Sequence, residues 1–191
     1  MRHLLIAACT MLALSGCASP TSEQLNFTPT TDNSQIALHQ AKSVTLTTKD
    51  IRTAQYLALV KKNEDKALPI HAKQNVRVAL NNALQGALQK QGFNIVPNSD
   101  NHIQLEVQEA LVRVSSSTFS NQMQAKVTLT VTAETKAGKF VKTYTGSAKG
   151  ENSMGASNEQ IEHIINHVSK LVLNEITNDV ELIDYMEETF K

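Results

Sequence analysis

The sequence predicts an α+β domain, a two-layer sandwich of a mainly antiparallel sheet with two long helices on one face. Three observations lead there. Residues 122–135, QMQAKVTLTVTAET, alternate strictly between apolar and polar side chains. That is the pattern of a strand with one face in the core and one in water. Residues 73–91 and 154–179 repeat apolar residues at three- and four-residue spacing, the pattern of a helix with one buried stripe. The order is strands, helix, antiparallel strands, helix, without an internal repeat, which places both helices on one side of a single sheet.

Taken in order, the first strand region is 36–60. Val44 and Leu46 alternate there with Ser43, Thr45 and Thr47. KDIRT (49–53) interrupts it and AQYLALV (54–60) resumes it. KKNEDK (61–66) is a charged turn, and ALPIH (67–71) is a short returning strand with Pro69 at an edge. The first helix buries Val76, Ala79, Leu80, Ala83, Leu84, Ala87 and Leu88, and Gly92 stops it. Its alanines at every fourth position allow close approach to a neighbouring element. FNIVP (93–97) is a short strand and NSDN (98–101) a turn.

Residues 102–114 are a long strand that changes phase. Ile103, Leu105 and Val107 are odd-numbered; Ala110, Val112 and Val114 are even-numbered. A bulge near Gln108-Glu109 keeps both sets on one face. SSSTFSN (115–121) is a loop, KAGK (136–139) a hairpin turn around Gly138, and FVKTYTGSAKG (140–150) the returning strand. The second long helix opens with Ser157 and Gln160 in capping-box spacing, and Glu159 and Glu162 suit its dipole. Its stripe is Ile161, Ile164, Ile165, Val168, Leu171, Val172 and Ile176. DVELIDYMEETF (179–190) forms a short third helix.

The N-terminus divides differently. Arg2 and His3 form a basic head, Leu4 to Leu14 is apolar apart from Thr10, and Ser15-Gly16 are small. These are the parts of a secretory signal, and about eleven apolar residues are too few to span a bilayer. Leu14-Ser15-Gly16-Cys17 resembles a bacterial lipobox, with cleavage between Gly16 and Cys17 and lipid on the Cys17 sulfur. The expected division is a lipoprotein signal peptide at 1–16, a lipidated cysteine and flexible tether at 17–34, and one periplasmic domain at 35–191. Only Cys9 and Cys17 are cysteines, so the mature chain has no free thiol and no disulfide. Acyl chains contribute about 0.8 kcal/mol per buried CH₂, so several of them anchor firmly. Ala18 follows the cysteine where an aspartate would favour inner-membrane retention, which points to the outer membrane. Fully stretched, the polar segment 18–34 reaches roughly 55 Å.

Removing 1–16 takes away one basic residue, Arg2, and leaves 17 Lys+Arg against 18 Asp+Glu. No basic field is present to recruit nucleic acid. Aromatic residues are scarce and tryptophan is absent, which disfavours a sugar-binding platform. Glu159, His163 and His167 fall at i, i+4 and i+8, a spacing able to ligate zinc. The apolar stripe turns the two histidines away from the core, so they read as a solvated face, and no metal or other cofactor is expected. Ser115-Ser116-Ser117 has no nucleophile-elbow or S-x-x-K context. Asp50 and Arg52, two apart on a strand, share a face and can pair. The pair reads as turn-stabilising, with contact to a partner as the alternative.

The lipobox, the polar segment, Asp50-Ile51-Arg52-Thr53, Gly92-Phe93 after the first helix, and Ala156-Ser157-Asn158 at the last one occur in an order that resembles the YajG-type lipoproteins of Gram-negative bacteria. The resemblance covers nearly the whole mature chain. It implies an outer-membrane lipoprotein and carries over no catalytic residue. The expected function is a non-catalytic, lipid-anchored accessory or binding subunit in envelope assembly or maintenance. Its partners are the outer membrane, through the N-terminal lipid, and a periplasmic or envelope protein. Two alternatives are an auxiliary lipoprotein of lipid or lipopolysaccharide transport, and a cell-wall binder using Lys126, Thr128, Thr130 and Thr132.

Overall fold

The computed structural model describes residues 24–32, 36–63, 66–116, 121–152 and 156–191. One sheet contains eight strands: β1 (Gln24–Leu25), β2 (Lys42–Asp50), β3 (Ala58–Lys62), β4 (Leu68–Ala72), β5 (Phe93–Ile95), β6 (His102–Ser116), β7 (Asn121–Thr135) and β8 (Gly138–Asn152). Three helices complete the fold: α1 (Val76–Gln91), α2 (Asn158–Thr177) and α3 (Val180–Thr189).

β6 is the spine. One of its edges carries the long antiparallel ladder to β7, which pairs in turn with β8. Its other edge is shared by two shorter strands, both parallel to it. β2 lies beside His102–Val107 and β3 beside Val112–Ser116. β4 adds to β3 antiparallel, β1 adds to β4 parallel, and β5 adds to β2 parallel. The sheet is therefore mixed. The sequence expectation of mainly antiparallel pairing holds for the long ladders and fails for the β2, β3 and β5 pairings along this edge. Side-chain alternation reports which face is buried and is silent on strand direction.

The expected sandwich also gives way to a sheet curled into a half-barrel. Long strands accumulate twist, and the bulge predicted near Gln108 is present, with the β6–β7 register shifting between Val107 and Glu109. A bulge bends its strand and increases the local twist. α2 packs on β6, β7 and β8 and also reaches β1 at the far edge of the sheet. That span requires curvature. α2 lies close over β8 at Gly146, where a Cβ atom would lie 2.6 Å from Val172 Cγ2.

The interior between helices and sheet is an apolar core. Leu80 and Leu84 of α1, Leu105 of β6, Leu129 of β7 and Ile165 of α2 are all buried. The stripe of α2 faces this core as predicted, except that Leu171 is exposed. Both hydrogen bonds of its capping box form: Gln160 N–H donates to Ser157 Oγ, and Ser157 N–H donates to Gln160 Oε1. α1 ends at Gly92, whose φ of 104° lies in the left-handed region that favours glycine.

Two further expectations are corrected. The segment read as a flexible tether through residue 34 is docked over 24–32. Leu25 and Phe27 are 0% exposed, and β1 pairs with β4. Two apolar side chains alternating within a polar stretch are enough to seat it, because full burial of each contributes on the order of 2–3 kcal/mol. Second, the polar face of β7 is not open to water along its length. Thr128 and Thr130 are 8% and 6% exposed. Their hydroxyls meet Thr145, Thr143 and Gln108 on the neighbouring strands. The signal peptide, Gly16 and Cys17 lie outside the described residues, as does Ser117.

Candidate functional site

The Asp50-Ile51-Arg52-Thr53 segment follows β2 and crosses the notch where β2 stops and β3 has not yet started. The bulge of β6 lies on the opposite side of that notch. Arg52 Nε and Nη2 donate to the two carboxylate oxygens of Asp50 at 2.9 and 2.8 Å, and Nη1 reaches Ala110 O at 3.4 Å. The Arg52 side chain is 4% exposed and that of Asp50 16%. Burial works to raise the Asp50 carboxyl pKa, but the hydrogen bonds and charge of Arg52 outweigh it and hold it below the ordinary carboxylate value. Gln55 caps the Arg52 carbonyl, and Ile51 N–H donates to Val107 O. The pair closes the break between two strands that share one edge. Beside it a shallow polar pocket is lined by Gln108, Glu109 and Arg113, where Glu109 already pairs with Arg113 and Lys126.

α2 has two working flanks. Along one, Glu162, Asn166, Lys170 and Asn174 recur every fourth residue, so they stand in one row. Each holds the docked segment 26–32. Asn26 N–H donates to Glu162 Oε1 at 2.7 Å, and Thr28 N–H donates to Asn166 Oδ1 at 2.8 Å. Asp32 N–H donates to Asn174 Oδ1, and the Asp32 carboxylate takes Lys170 at 2.6 Å. Phe27 N–H donates to Gln74 Oε1, just before α1. Of this row the sequence analysis singled out only Glu162, for the helix dipole. The available signal was a run of polar side chains, acceptor Glu162, amides Asn166 and Asn174 and donor Lys170, at four-residue spacing.

The other flank faces β8. Near the start of α2 it forms an open groove of ~520 Å³ with a floor of Met123, Ala148, Gly150 and Ile164. Glu159, His163 and His167 stand at its rim; Lys149 also borders it but alternates with Ala148 and Gly150, so its side chain belongs to the other face of the sheet. The rings of His163 and His167 stack with centroids 6.2 Å apart and planes 1° from parallel, and both residues are exposed. Glu159 does not join them as a ligand set. It sits in the first turn, where its hydrogen bond with Ser157 keeps its carboxyl pKa low. Among the described residues no group of three His, Cys, Asp or Glu side chains is placed to hold a metal ion.

A third cluster ties the end of α2 to the sheet. The buried Tyr144 hydroxyl donates to Asp179 Oδ2 at 2.7 Å, and Lys142 bridges Asp179 and Glu181 at 2.7 Å each. Asp179 also caps α3 through its other oxygen, accepting from Glu181 and Leu182. Burial pushes the Tyr144 pKa up, and the Asp179 hydrogen bond adds to that, so the phenol stays a neutral donor.

All three clusters join one element to another. A curled, mixed α+β domain of this kind is also seen in the solved structure of protein XCC0632 from Xanthomonas campestris. The two agree with a TM-score of 0.64 at 10% identity, over 87% of this chain and 98% of that one. The family model described as Uncharacterized lipoprotein matches residues 29–187, and the chain belongs to that family. It is 23% identical to the lipoprotein YajG of Escherichia coli K12 over 189 residues, 98% of this chain and 97% of that one. YajG of E. coli O6:H1 matches to the same extent. These matches agree with the resemblance carried by the short motifs. No helix among the described residues is long and apolar enough to cross a membrane.

Proposed function

We propose that this chain is a non-catalytic lipoprotein anchored to the outer membrane through Cys17, with its domain in the periplasm. There it serves as an accessory or binding subunit in envelope assembly or maintenance. The supporting observation is the pairing of lipoprotein family membership with polar clusters that hold the fold together. Arg52, paired with Asp50, reaches β6 at Ala110, the α2 row holds segment 26–32, and Tyr144–Asp179 ties β8 to the α2–α3 joint, so each is engaged with the protein itself. Crosslinking mass spectrometry on intact envelopes, combined with the mass of the N-terminal peptide, tests this. The reading expects a triacylated Cys17 and a reproducible envelope partner. An unmodified Cys17 with no recurrent crosslink would sink it.

The alternatives fare differently. The lipid- or lipopolysaccharide-transport reading would draw on the open groove between α2 and β8. Burial of Thr128 and Thr130 removes the centre of the face on which the cell-wall reading depended.

A further inference from the structure

We infer that the α2–β8 groove faces the membrane and rests against its lipid surface. This rests on the proposed anchor at Cys17 and on where the chain enters the fold.

The docked segment takes up residues 24–32, so they contribute nothing to reach. From Cys17 to Gln24 is seven residue steps, which span at most about 25 Å at full extension. That is less than half the reach of a tether running to residue 34. The domain is therefore held close to its anchor, and the position of Gln24 decides which end lies nearest.

Gln24 pairs with His71, and two residues later Asn26 is fixed to Glu162, near the start of α2. The groove is built on the same part of that helix, from Glu159 to Ile164. β8 ends at the same end of the sheet, where Asn121 pairs with Asn152. The opposite end is formed by the β5–β6 and β7–β8 connections, around Asn98 and Ala137. Of the two ends, the groove end is the one from which the leash departs.

The chemistry of the groove suits an interfacial position. Its floor is apolar, with Met123, Ala148, Gly150 and Ile164. Its rim carries the amphipathic rings of His163 and His167, whose apolar bodies and polar edges suit the boundary between acyl chains and headgroups, with Glu159 at the outer margin. A short leash raises the local concentration of lipid at this end, so a weak apolar surface is sufficient to hold contact.

The test uses the full-length, lipidated protein in vesicles of phosphatidylethanolamine and phosphatidylglycerol containing an acyl-brominated phosphatidylcholine. Single cysteines are introduced at exposed positions: His163→Cys or His167→Cys at the groove, and Asn98→Cys or Ala137→Cys at the opposite end. Each carries a bimane fluorophore. Bromine quenching is expected to be at least threefold greater at the groove positions. Equal quenching at both ends, none at either, or stronger quenching at Ala137→Cys overturns the inference. Protection of the groove positions by a protein crosslink in envelopes, without quenching in vesicles, also overturns it and makes the groove a protein-docking surface. The protein without an introduced cysteine is the control. It labels only when Cys17 is free, so a failure of the anchor is scored separately from a failure of the orientation.

Discussion

Replacing Arg52 with methionine keeps most of the side-chain volume and leaves the Asp50 carboxylate without its partner. Breaking a buried pair from one side costs about 3 kcal/mol at the lower end of its range, and the partial exposure of Asp50 places it there. Urea denaturation should show that loss for Arg52→Met and a smaller one for the double variant Asp50→Asn/Arg52→Met. Equal losses would mean that packing, not charge, sets the role of Arg52. At Phe27, truncation to alanine should cost about 3–4 kcal/mol, because the ring is fully enclosed. A loss below about 1 kcal/mol would show that the N-terminal segment is a dispensable overlay. The Asp50–Arg52 pair was legible from opposite charges two residues apart, although the structure places Arg52 just beyond the end of β2 rather than on the strand. Phe27 was not. A lone aromatic between Asn26 and Thr28, near Pro29, has no period long enough to mark a strand. Its burial depends on a polar row more than a hundred residues further along the chain.

The elements differ in how much of them the sequence announces. The β6 bulge was readable because apolar side chains changed parity while remaining in one strand. The α2 cap was readable because Ser157 and Gln160 stand at the fixed spacing of a reciprocal pair. Parallel pairing of β2 and β3 along one edge of β6 was not readable, because alternation is the same in either direction. Glycine placement sharpens the contrast between sheet and helix. Gly146 of β8 lies under Val168 and Val172 of α2, so Gly146→Ala forces that helix outward and should cost about 1–3 kcal/mol. Gly86 lies in the middle of α1 with open space around its Cα. Gly86→Ala should therefore stabilise by about 0.5–1 kcal/mol. Thermal melts of the two variants should move in opposite directions, and a destabilised Gly86→Ala would contradict the packing described for α1.

At the scale of the whole molecule, charge is balanced in sign and concentrated in a few joints, so pH acts through those joints. Burial opposes ionisation of Asp50, Glu109 and Asp179. Their hydrogen bonds with Arg52, with Lys126 and Arg113, and with Lys142 and Tyr144 more than compensate, so all three carboxyl pKa values are lowered. Lowered carboxyls contribute stability that is complete above the unfolded value, about 4, and is lost as pH falls through the folded values. Lys142 is raised to about 12 by Asp179 and Glu181. Its contribution is complete below its unfolded value and is lost as pH rises toward 12. The melting temperature should be flat from about pH 5 to 9 and fall on both sides. Asp179→Asn should lower the plateau and flatten both limbs, and unchanged limbs would count against this joint as their source. The docked N-terminal segment also has a kinetic consequence. Asn26 meets Glu162 across a separation of 136 residues. If the chain is exported N-terminus first, as the proposed lipoprotein role requires, it presents Leu25 and Phe27 long before α2 exists to receive the segment that bears them. Such distant closure is slow, and exposed apolar side chains invite aggregation in the interval. On that reading the incoming chain would be a client for a holding chaperone until α2 has arrived.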